Sequence, residues 1–352
     1  MGQRLVLLLV VVASSAACVS AAPRGQLVRA LADRILVCRH EATGALFLEP
    51  LSPRPGGLVP YFGHFSAYGL LRAYEATRDA RYLDAVDAWV DFYRSRMRAD
   101  GTVTDFTFTA DGEFVSTDDM DSTDSYAAMY LWVVAERVRV AGSGAEGEWL
   151  RERALSSYQA LSAMLLTLQD SGLTRAKPDY PIEYLMDNTE VIVGFRSAGI
   201  IFDALGNTGM ARWTDRLAAR AEAELRTFYD AGHGYYAWYR DQAGDKGYAL
   251  EKWYPDVMAQ VLFLMRAGRP QEPDRSLMGR LWEQRLTGEF SAADPIPYVW
   301  LGLAAQRVGH EECAKNVIDR VAQLSPDEVS RWDALACATT LELLTGGTRP
   351  VW

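Results

Sequence analysis

Residues 117–135 decide the fold, and they read TDDMDSTDSYAAMYLWVVA. Four aspartates crowd the first half of this segment: Asp118, Asp119, Asp121 and Asp124. An uninterrupted apolar run follows from Ala127 to Ala135. A run that is apolar on every side predicts a helix buried all round, and this one is too short to span a membrane. Acids are favourable at a helix start because the helix dipole stabilises negative charge there, so capping alone explains these aspartates when the segment stands by itself.

The same arrangement recurs along the chain, which changes that interpretation. An amphipathic helix predicted at Glu148–Gln169 leads through a long loop to a nearly all-apolar helix from Asp187. A short GNTG turn then precedes an amphipathic helix at Met210–Tyr229, followed by an aromatic loop and an apolar helix at Val257–Met265. Further apolar helices are predicted near His64–Thr77, from Pro295 and from Trp332, and further amphipathic ones at Arg24–Arg39, from Asp79, at Asp274–Leu286 and at Glu311–Leu324.

About twelve helices therefore alternate between amphipathic and apolar. The connections that leave the apolar helices are short, whereas most of those that lead into them are long. An inner ring of six buried helices inside an outer ring of six amphipathic ones satisfies both observations. The predicted fold is all-α, an (α/α)6 toroid of six helical hairpins with small β-hairpins in the long loops at one rim, such as residues 101–119. No Pro/Ser-rich linker divides the chain, so residues 22–352 are predicted to form a single barrel domain.

The first residues predict a secretory signal peptide over positions 1–21. Arg4 supplies a short basic region, an apolar core follows, and Val19-Ser20-Ala21 offers a small-residue cleavage site. The alternative is a lipoprotein leader that ends before Cys18, since Ser15-Ala16-Ala17-Cys18 resembles a bacterial lipoprotein box. The protein is therefore expected to be exported to the periplasm or the extracellular space, either free or anchored to a membrane by a lipid on Cys18.

Charge and cysteine content exclude several classes of function. The net charge of −10 argues against nucleic acid as a partner, which needs a basic face, and mildly against a strongly anionic polymer as substrate. Outside the leader only Cys38, Cys313 and Cys337 remain, too few and too scattered for a disulfide scaffold. No metal site or cofactor is predicted, because no P-loop, dinucleotide-binding or HExxH motif is present. No feature of the sequence indicates an oligomeric state.

Carboxylates are predicted at five of the six starts of the inner helices, and hence at one rim. These starts are Tyr61–His64, Asp119–Asp124, Asp187–Glu190, Trp253–Asp256, Asp294–Tyr298 and Trp332–Asp333. Aromatic rings in the long loops offer stacking surfaces for sugars, and cleavage of a glycosidic bond needs one acid and one base. The residues expected to bind a sugar substrate are Tyr61, Lys177, Trp238, Trp253, Tyr254 and Asp256.

This arrangement resembles the six-hairpin, or (α/α)6-barrel, glycosidases. Two segments, HFSAYGLLRA from residue 64 and DSTDSYAAMYLW from residue 121, are similar to segments of the family-8 glycoside hydrolases. In that family the first segment carries a glutamate proton donor shortly before a Tyr-Gly pair, and matching the pair to Tyr68-Gly69 places His64 at the donor position. The second segment carries aspartates that hold the distorted sugar, which the resemblance assigns to Asp121 and Asp124.

The leading hypothesis is an exported glycoside hydrolase that acts on a polysaccharide or oligosaccharide. The candidate catalytic residues are Asp121, Asp124, Asp187, Glu190 and His64. The family-8 resemblance implies inversion of configuration. An ion pair between Arg196 and Asp187 or Glu190 is the structural alternative for that cluster. Two other functions stay open: a non-catalytic carbohydrate-binding barrel that has lost the proton donor, and a sugar epimerase that uses His64 and His233 as its acid–base pair.

Overall fold

The computed structural model describes residues 21–50, 56–141, 146–266, 268–288 and 290–346. The predicted leader, with Cys18, lies almost wholly outside these residues, so export and the lipid anchor stay predictions. In the described ranges, no helix combines the length and the apolar character needed to cross a membrane.

The helices follow one another in the alternation that the sequence predicts. In chain order they are α1 (Ala21–Val37), α2 (Pro60–Thr77), α3 (Ala80–Arg96), α4 (Thr123–Ala141), α5 (Glu146–Glu152), α6 (Ala154–Thr167), α7 (Leu185–Ala204), α8 (Thr208–Arg226), α9 (Met258–Arg266), α10 (Glu272–Glu283), α11 (Ile296–Val308), α12 (Glu311–Val321), α13 (Pro326–Val329) and α14 (Ala334–Leu344). The helix predicted at Glu148–Gln169 is instead two helices, because the backbone of Arg153 (φ −106°, ψ 6°) leaves the helical conformation between α5 and α6.

The apolar helices close a ring. Helix α2 packs on α4, α4 on α7, α7 on α9, α9 on α11, α11 on α14, and α14 returns to α2. The amphipathic helices α1, α3, α6, α8, α10 and α12 each pack against this ring from outside. The structure therefore confirms the predicted (α/α)6 toroid of six hairpins.

Burial follows the sequence pattern of the two helix classes. Every residue of α14 is buried, as its composition requires, since it carries apolar side chains on all faces. In the outer helix α12 the buried residues are Cys313, Ala314, Val317 and Val321, which form one stripe at helical spacing. Inner helices are thus enclosed, whereas outer helices keep one face in solvent.

Two seams of the inner ring pack backbone against backbone. A Cβ atom on Gly69 would lie 2.6 Å from Cα of Ala338, across the contact between α2 and α14. A Cβ atom on Gly194 would lie 2.6 Å from Cα of Ala128, across the contact between α4 and α7. Both glycines are therefore required by close approach, because any side chain there would push the helices apart.

Short strands occupy the long loops that precede inner helices, as predicted. Strands β1 (Gly56–Leu58), β2 (Phe106–Phe108) and β3 (Phe114–Ser116) form an antiparallel sheet in that order, with Leu58 opposite Phe106 and Phe106 opposite Ser116. The remaining strands are β4 (Glu183–Tyr184), β5 (Tyr229–Asp230), β6 (Tyr235–Tyr236), β7 (Tyr239–Arg240) and β8 (Lys246–Gly247). They pair as β4–β7–β8 and β5–β6.

A buried ion pair lies toward the far ends of the inner helices. Arg266, the last residue of α9, donates from Nη1 to Oε1 of Glu342 at 2.5 Å and from Nη2 to Oε2 at 2.6 Å. The guanidinium of Arg266 also lies 4.6 Å from the ring centroid of Trp132, and the hydroxyl of Tyr68 donates to Glu342 at 3.4 Å. Both charged groups are buried, and they compensate each other.

Candidate active site at the starts of the inner helices

A cavity of about 600 Å³ opens where the six inner helices begin. Its polar and aromatic lining comprises Tyr61, Phe62, Asp105, Asp121, Ser122, Ser125, Tyr126, Asp187, Glu190, Trp253, Tyr254, Asp294 and Trp300. These residues come from the first turns of α2, α4, α7 and α11, from the segment just before α9, and from the long loops. Leu335, in the first turn of α14, completes the wall. The rim therefore brings together acids that are far apart in the sequence.

Asp124 stands behind the cavity wall as a fully buried carboxylate. Its Oδ1 accepts from the hydroxyl of Ser122 at 2.5 Å and from the backbone N–H of Ser125 at 2.8 Å, and its Oδ2 accepts from the hydroxyl of Thr174 at 2.5 Å. Burial raises the pKa of Asp124, and these three hydrogen bonds partly oppose that rise. The donors fix the orientation of Asp124, so it acts as a rigid acceptor rather than as a group that reaches a ligand.

Asp187, in the first turn of α7, faces the cavity. Burial holds the pKa of its carboxyl well above its usual range, and the negative charges of Asp124, Glu190 and Asp121 raise it further. A hydroxyl contact from Ser122 at 3.5 Å is a weak opposing effect. Asp187 therefore keeps its proton under conditions where an ordinary aspartate is ionised, which is the property of a proton donor.

Glu190 lies one turn further along α7 and is almost completely buried. Burial raises the pKa of Glu190 to about 7, with a contribution from the negative charge of Asp124, while the hydrogen bond from Tyr61 and the positive charge of Arg266 oppose the rise. The Tyr61 hydroxyl donates to Oε1 of Glu190 at 2.6 Å. Glu190 is thus poised to exchange a proton near neutral pH, with one oxygen already held in place.

Asp121 and Asp105 complete the acidic lining. Asp121 is exposed to the cavity at the start of α4. Asp105 accepts a hydrogen bond from the hydroxyl of Tyr126 at 2.7 Å, and burial raises its pKa. Sequence reasoning missed Asp105, because it lies in the loop before β2 rather than at a helix start. The available signal was a single acid among alternating apolar residues of a loop already predicted to reach the rim.

A second cavity, of about 380 Å³, adjoins the first. Its lining includes Lys177, Tyr180, Tyr184, Met186, Trp238, Tyr254 and Pro255, together with Asp121, Ser122 and Asp187. The rings of Tyr184 and Trp238 are nearly parallel (13°), with centroids 5.9 Å apart. The ammonium of Lys177 lies 3.1 Å from Oδ1 of Asp119. The second cavity is therefore an aromatic chamber beside the acids.

Comparison with known proteins gives the architecture a name. No family model and no curated protein match the chain. Among solved structures, a β-1,3-1,4-glucanase from Paenibacillus sp. X4 superposes with a TM-score of 0.65 at 11% identity, over 92% of this chain and 92% of that one. This chain has the fold of the (α/α)6-barrel glycosidases.

Other solved structures share the fold. A cold-adapted family 8 xylanase superposes with a TM-score of 0.56 at 9% identity, covering 83% of this chain and 80% of that one. A sugar epimerase from a ruminal bacterium superposes with a TM-score of 0.57 at 13% identity, covering 92% of this chain and 99% of that one. The chain spans 63% of the length of a rhamnosidase from Klebsiella oxytoca and 35% of one from Bacillus sp. GL1.

Within this glycosidase fold, the structure does not bring His64 to the cavity. His64 is completely buried on the side of α2 that faces α3, where Nε1–H of Trp89 donates to its Nδ1 at 3.1 Å. The ring of Tyr93 packs 4.6 Å from it, and burial lowers the pKa of His64 to about 3. The predicted role of His64 as proton donor is therefore wrong. Tyr61, three residues earlier on α2, presents its hydroxyl to the cavity, whereas His64 points toward α3 and into the core.

Three other candidate residues have different partners from those predicted. The carboxylate of Asp256 accepts hydrogen bonds from the backbone N–H groups of Glu251 and Lys252, both at 3.1 Å, and thereby closes a turn. Asp256 does not line either cavity. His233 is exposed beside Asp230 at 2.9 Å, away from both cavities. Arg196 pairs with Glu222 on α8 rather than with Asp187 or Glu190.

The remaining predicted residues do meet at the rim. Tyr61, Trp253 and Tyr254 line the first cavity, Lys177 and Trp238 line the second, and Tyr254 lines both. In the part of the chain that the structure describes, no three His, Cys, Asp or Glu side chains are grouped so that they could hold a metal ion.

Proposed function

We propose that this protein is a glycoside hydrolase that cleaves an oligosaccharide or polysaccharide by carboxylate acid–base catalysis. The observation that carries the proposal is the grouping of Asp121, Asp187 and Glu190 in one cavity, with aromatic walls and with raised pKa values for Asp187 and Glu190. Glycosidic cleavage requires one protonated and one ionised carboxyl group on either side of the bond. Environments that separate the pKa values of neighbouring acids supply that pair.

In this mechanism Asp187 is the general acid. Its proton passes to the glycosidic oxygen as the bond from that oxygen to the anomeric carbon breaks. The ionised Asp187 then lies beside other acids, and it regains a proton from solvent because its pKa is well above the usual range.

Asp121 is the general base in the inverting reaction that the family-8 resemblance implies. It takes a proton from a water molecule as the oxygen of that water bonds to the anomeric carbon from the opposite face. In each turnover Asp187 gives one proton to the leaving-group oxygen and Asp121 takes one proton from the attacking water, and exchange with solvent restores both groups. Glu190, held by Tyr61, is placed to bind a hydroxyl of the reacting sugar.

A panel of glycans with a reducing-end assay tests the proposal. We expect the wild-type protein to release reducing ends from at least one glycan, and both Asp187→Asn and Asp121→Asn to lower the rate at least 100-fold, the usual contribution of a general acid or base. Asp256→Asn is the matched control, because Asp256 caps a turn outside both cavities. An unaffected rate in Asp187→Asn contradicts its assignment as the acid.

The non-catalytic alternative has one supporting observation, namely that His64 occupies the position where the family-8 segment carries its donor glutamate. Binding of a glycan without any turnover in the same panel would favour that function. The epimerase alternative is disfavoured, because His64 is buried and His233, paired with Asp230, does not line either cavity. An isomerised product without new reducing ends would restore it. We also propose that the protein is exported, on the basis of the predicted leader.

A further inference from the structure

The two cavities meet at the proposed acid and base. Five residues line both of them: Asp121, Ser122, Met186, Asp187 and Tyr254. A bond placed between Asp121 and Asp187 therefore has open space on two sides, of about 600 Å³ and about 380 Å³. A ligand that reacts at this junction can extend into both cavities at once.

The second cavity has the features of a sugar-binding surface. The indole of Trp238 lies nearly parallel to the ring of Tyr184, and the hydroxyls of Tyr184 and Tyr180 are 3.2 Å apart. Tyr254 and Tyr180 are 63% and 46% exposed, which is unusual for large aromatic residues unless they contact a partner. Rings of this kind offer a flat apolar face with polar edges, as the two faces of a pyranose require.

The charge of the combined lining is strongly one-sided. Five carboxyl groups line the two cavities: Asp105, Asp121, Asp187, Glu190 and Asp294. Among the described residues of both linings, the one basic side chain is Lys177, and it is already paired with Asp119. Asp187 keeps its proton, so the negative charge that a ligand meets comes from the other acids of the lining, and Lys177, already paired, does not balance it.

We propose that the two cavities form one cleft for a sugar chain of at least two units, one on each side of Asp121 and Asp187, and that the cleft selects chains without anionic groups. This inference rests on the proposed function and specifies its substrate class as neutral or amino sugars. A carboxylate or sulfate on either unit would be repelled by several acids at short range in a partly desolvated site. An ammonium on the same position would be attracted.

Binding measurements separate this inference from the proposed hydrolysis. The Asp187→Asn protein is titrated by calorimetry with tetrasaccharides of glucose, glucosamine and glucuronate, each in α-1,4 and β-1,4 linkage. We expect the glucuronate chain to bind at least 100-fold more weakly than the glucosamine chain of the same linkage at 20 mM salt. The ratio should shrink about tenfold at 0.5 M salt, because mobile ions screen the repulsion.

A pair of variants tests the second cavity. Trp238→Ala should weaken binding of a tetrasaccharide at least tenfold while leaving the affinity for a monosaccharide within twofold, and Trp238→Phe should restore most of the loss because it keeps an aromatic face. Equal effects on both ligands would show that Trp238 acts through stability, and would overturn the two-cavity cleft.

The other outcomes are also decisive. Glucuronate binding that equals or exceeds glucosamine binding overturns the charge selection, and so does a failure of all six chains to bind. The expected order of binding, with no turnover of any chain by the wild-type protein, would support the cleft and contradict the proposed hydrolysis.

Discussion

Two groups of buried charge lie at the two ends of the same helical ring, and they are built on opposite rules. Near the far end, Arg266 and Glu342 share two short hydrogen bonds, so each buried charge has an opposite partner. At the starts of the helices, the charge of Asp124 raises the pKa of both Asp187 and Glu190, and the charge of Glu190 raises the pKa of Asp187 further. Compensated buried charge is typical of structure, whereas uncompensated charge in a cavity is typical of function.

The difference shows where the fold gives up stability. Desolvated acids that repel one another are unfavourable, and they persist only when the surrounding structure holds them in place. Here Ser122 and Thr174 fix Asp124, and Tyr61 fixes Glu190, so the acids cannot relax apart by changing rotamer.

The largest effect is expected at Asp187. Replacing it with Asn should lower kcat/KM by a factor of about 10² to 10⁴ because the group proposed as the general acid is lost. The free energy of unfolding should stay the same or rise by about 1 kcal/mol, because the fold keeps Asp187 protonated whereas the unfolded chain gains free energy by ionising it, and Asn removes that difference. Steady-state kinetics and chemical denaturation measure the two quantities. Asp84→Asn, on the exposed face of α3, is the control and should change neither.

A loss of stability is expected when a charge is removed at the far end of the ring. Glu342→Gln leaves the guanidinium of Arg266 buried without its counter-charge, which should lower the free energy of unfolding by about 3–5 kcal/mol. A double variant, Arg266→Met with Glu342→Leu, should recover most of that loss, since it removes both charges and keeps the volume. Denaturant unfolding of the three proteins tests this. A double variant no more stable than Glu342→Gln would show that the pair itself is required.

The free energy of unfolding is expected to depend on pH through Glu190. The pKa of Glu190 is about 7 in the fold against 4.5 for an ordinary glutamate, so the folded state binds a proton between these values that the unfolded chain has released. The stability this proton confers is fully present below pH 4.5 and is lost as the pH rises through 7. The loss contributed by Glu190 should be about 3 kcal/mol.

Two proteins make that prediction testable. The melting temperature of the wild type should rise as the pH is lowered from 8 to 5.5, and Glu190→Gln should flatten the slope because glutamine does not titrate. Identical slopes in the two proteins would assign the pH dependence to other groups. On the same reasoning, kcat/KM should fall on the alkaline side as Asp187 loses its proton.

The smallest effect is expected at Tyr61. In the wild-type protein the Tyr61 hydroxyl donates to Glu190 and lowers the pKa of Glu190. Tyr61→Phe removes this hydrogen bond, and a hydrogen bond to a charged group is worth about 1.5–3 kcal/mol. We expect kcat/KM to fall about tenfold or somewhat more, and the pH at which Glu190 ionises to move upward. A pH–rate profile separates this from simple loss of packing, which would lower the rate without moving the profile.

The ring was predictable from sequence because its signal repeats. Six alternations of amphipathic and apolar helices, with long loops on one side only, leave few other arrangements, and α4 and α7 carry the signal most clearly. The break between α5 and α6 was not predictable, because the helical spacing of apolar residues continues across Arg153 although the backbone of Arg153 is not helical.

The site was predictable in position but not in detail. Acids at helix starts had to meet at the rim, which placed Asp121, Asp187 and Glu190 correctly beside one cavity. Each residue of a helix is rotated by about 100° from the one before, so Tyr61 and His64, three positions apart, differ in direction by only about 60°. That small difference decides which of the two side chains reaches the cavity and which enters the core, and the sequence alone does not fix it. Asp256 shows the other limit, because a carboxylate at a helix start serves equally well as a cap.

The glycine contacts at two seams of the ring have a mechanical consequence. With Gly69 against Ala338 and Gly194 against Ala128, those inner helices are already as near as their main chains permit. At these two seams α2 cannot move closer to α14, nor α4 closer to α7, so an adjustment to a ligand beside these helices falls to the connecting loops. The acids on α4 and α7 therefore lie on helices that are rigid relative to each other, and we expect differences in ligand selectivity to come from the loops.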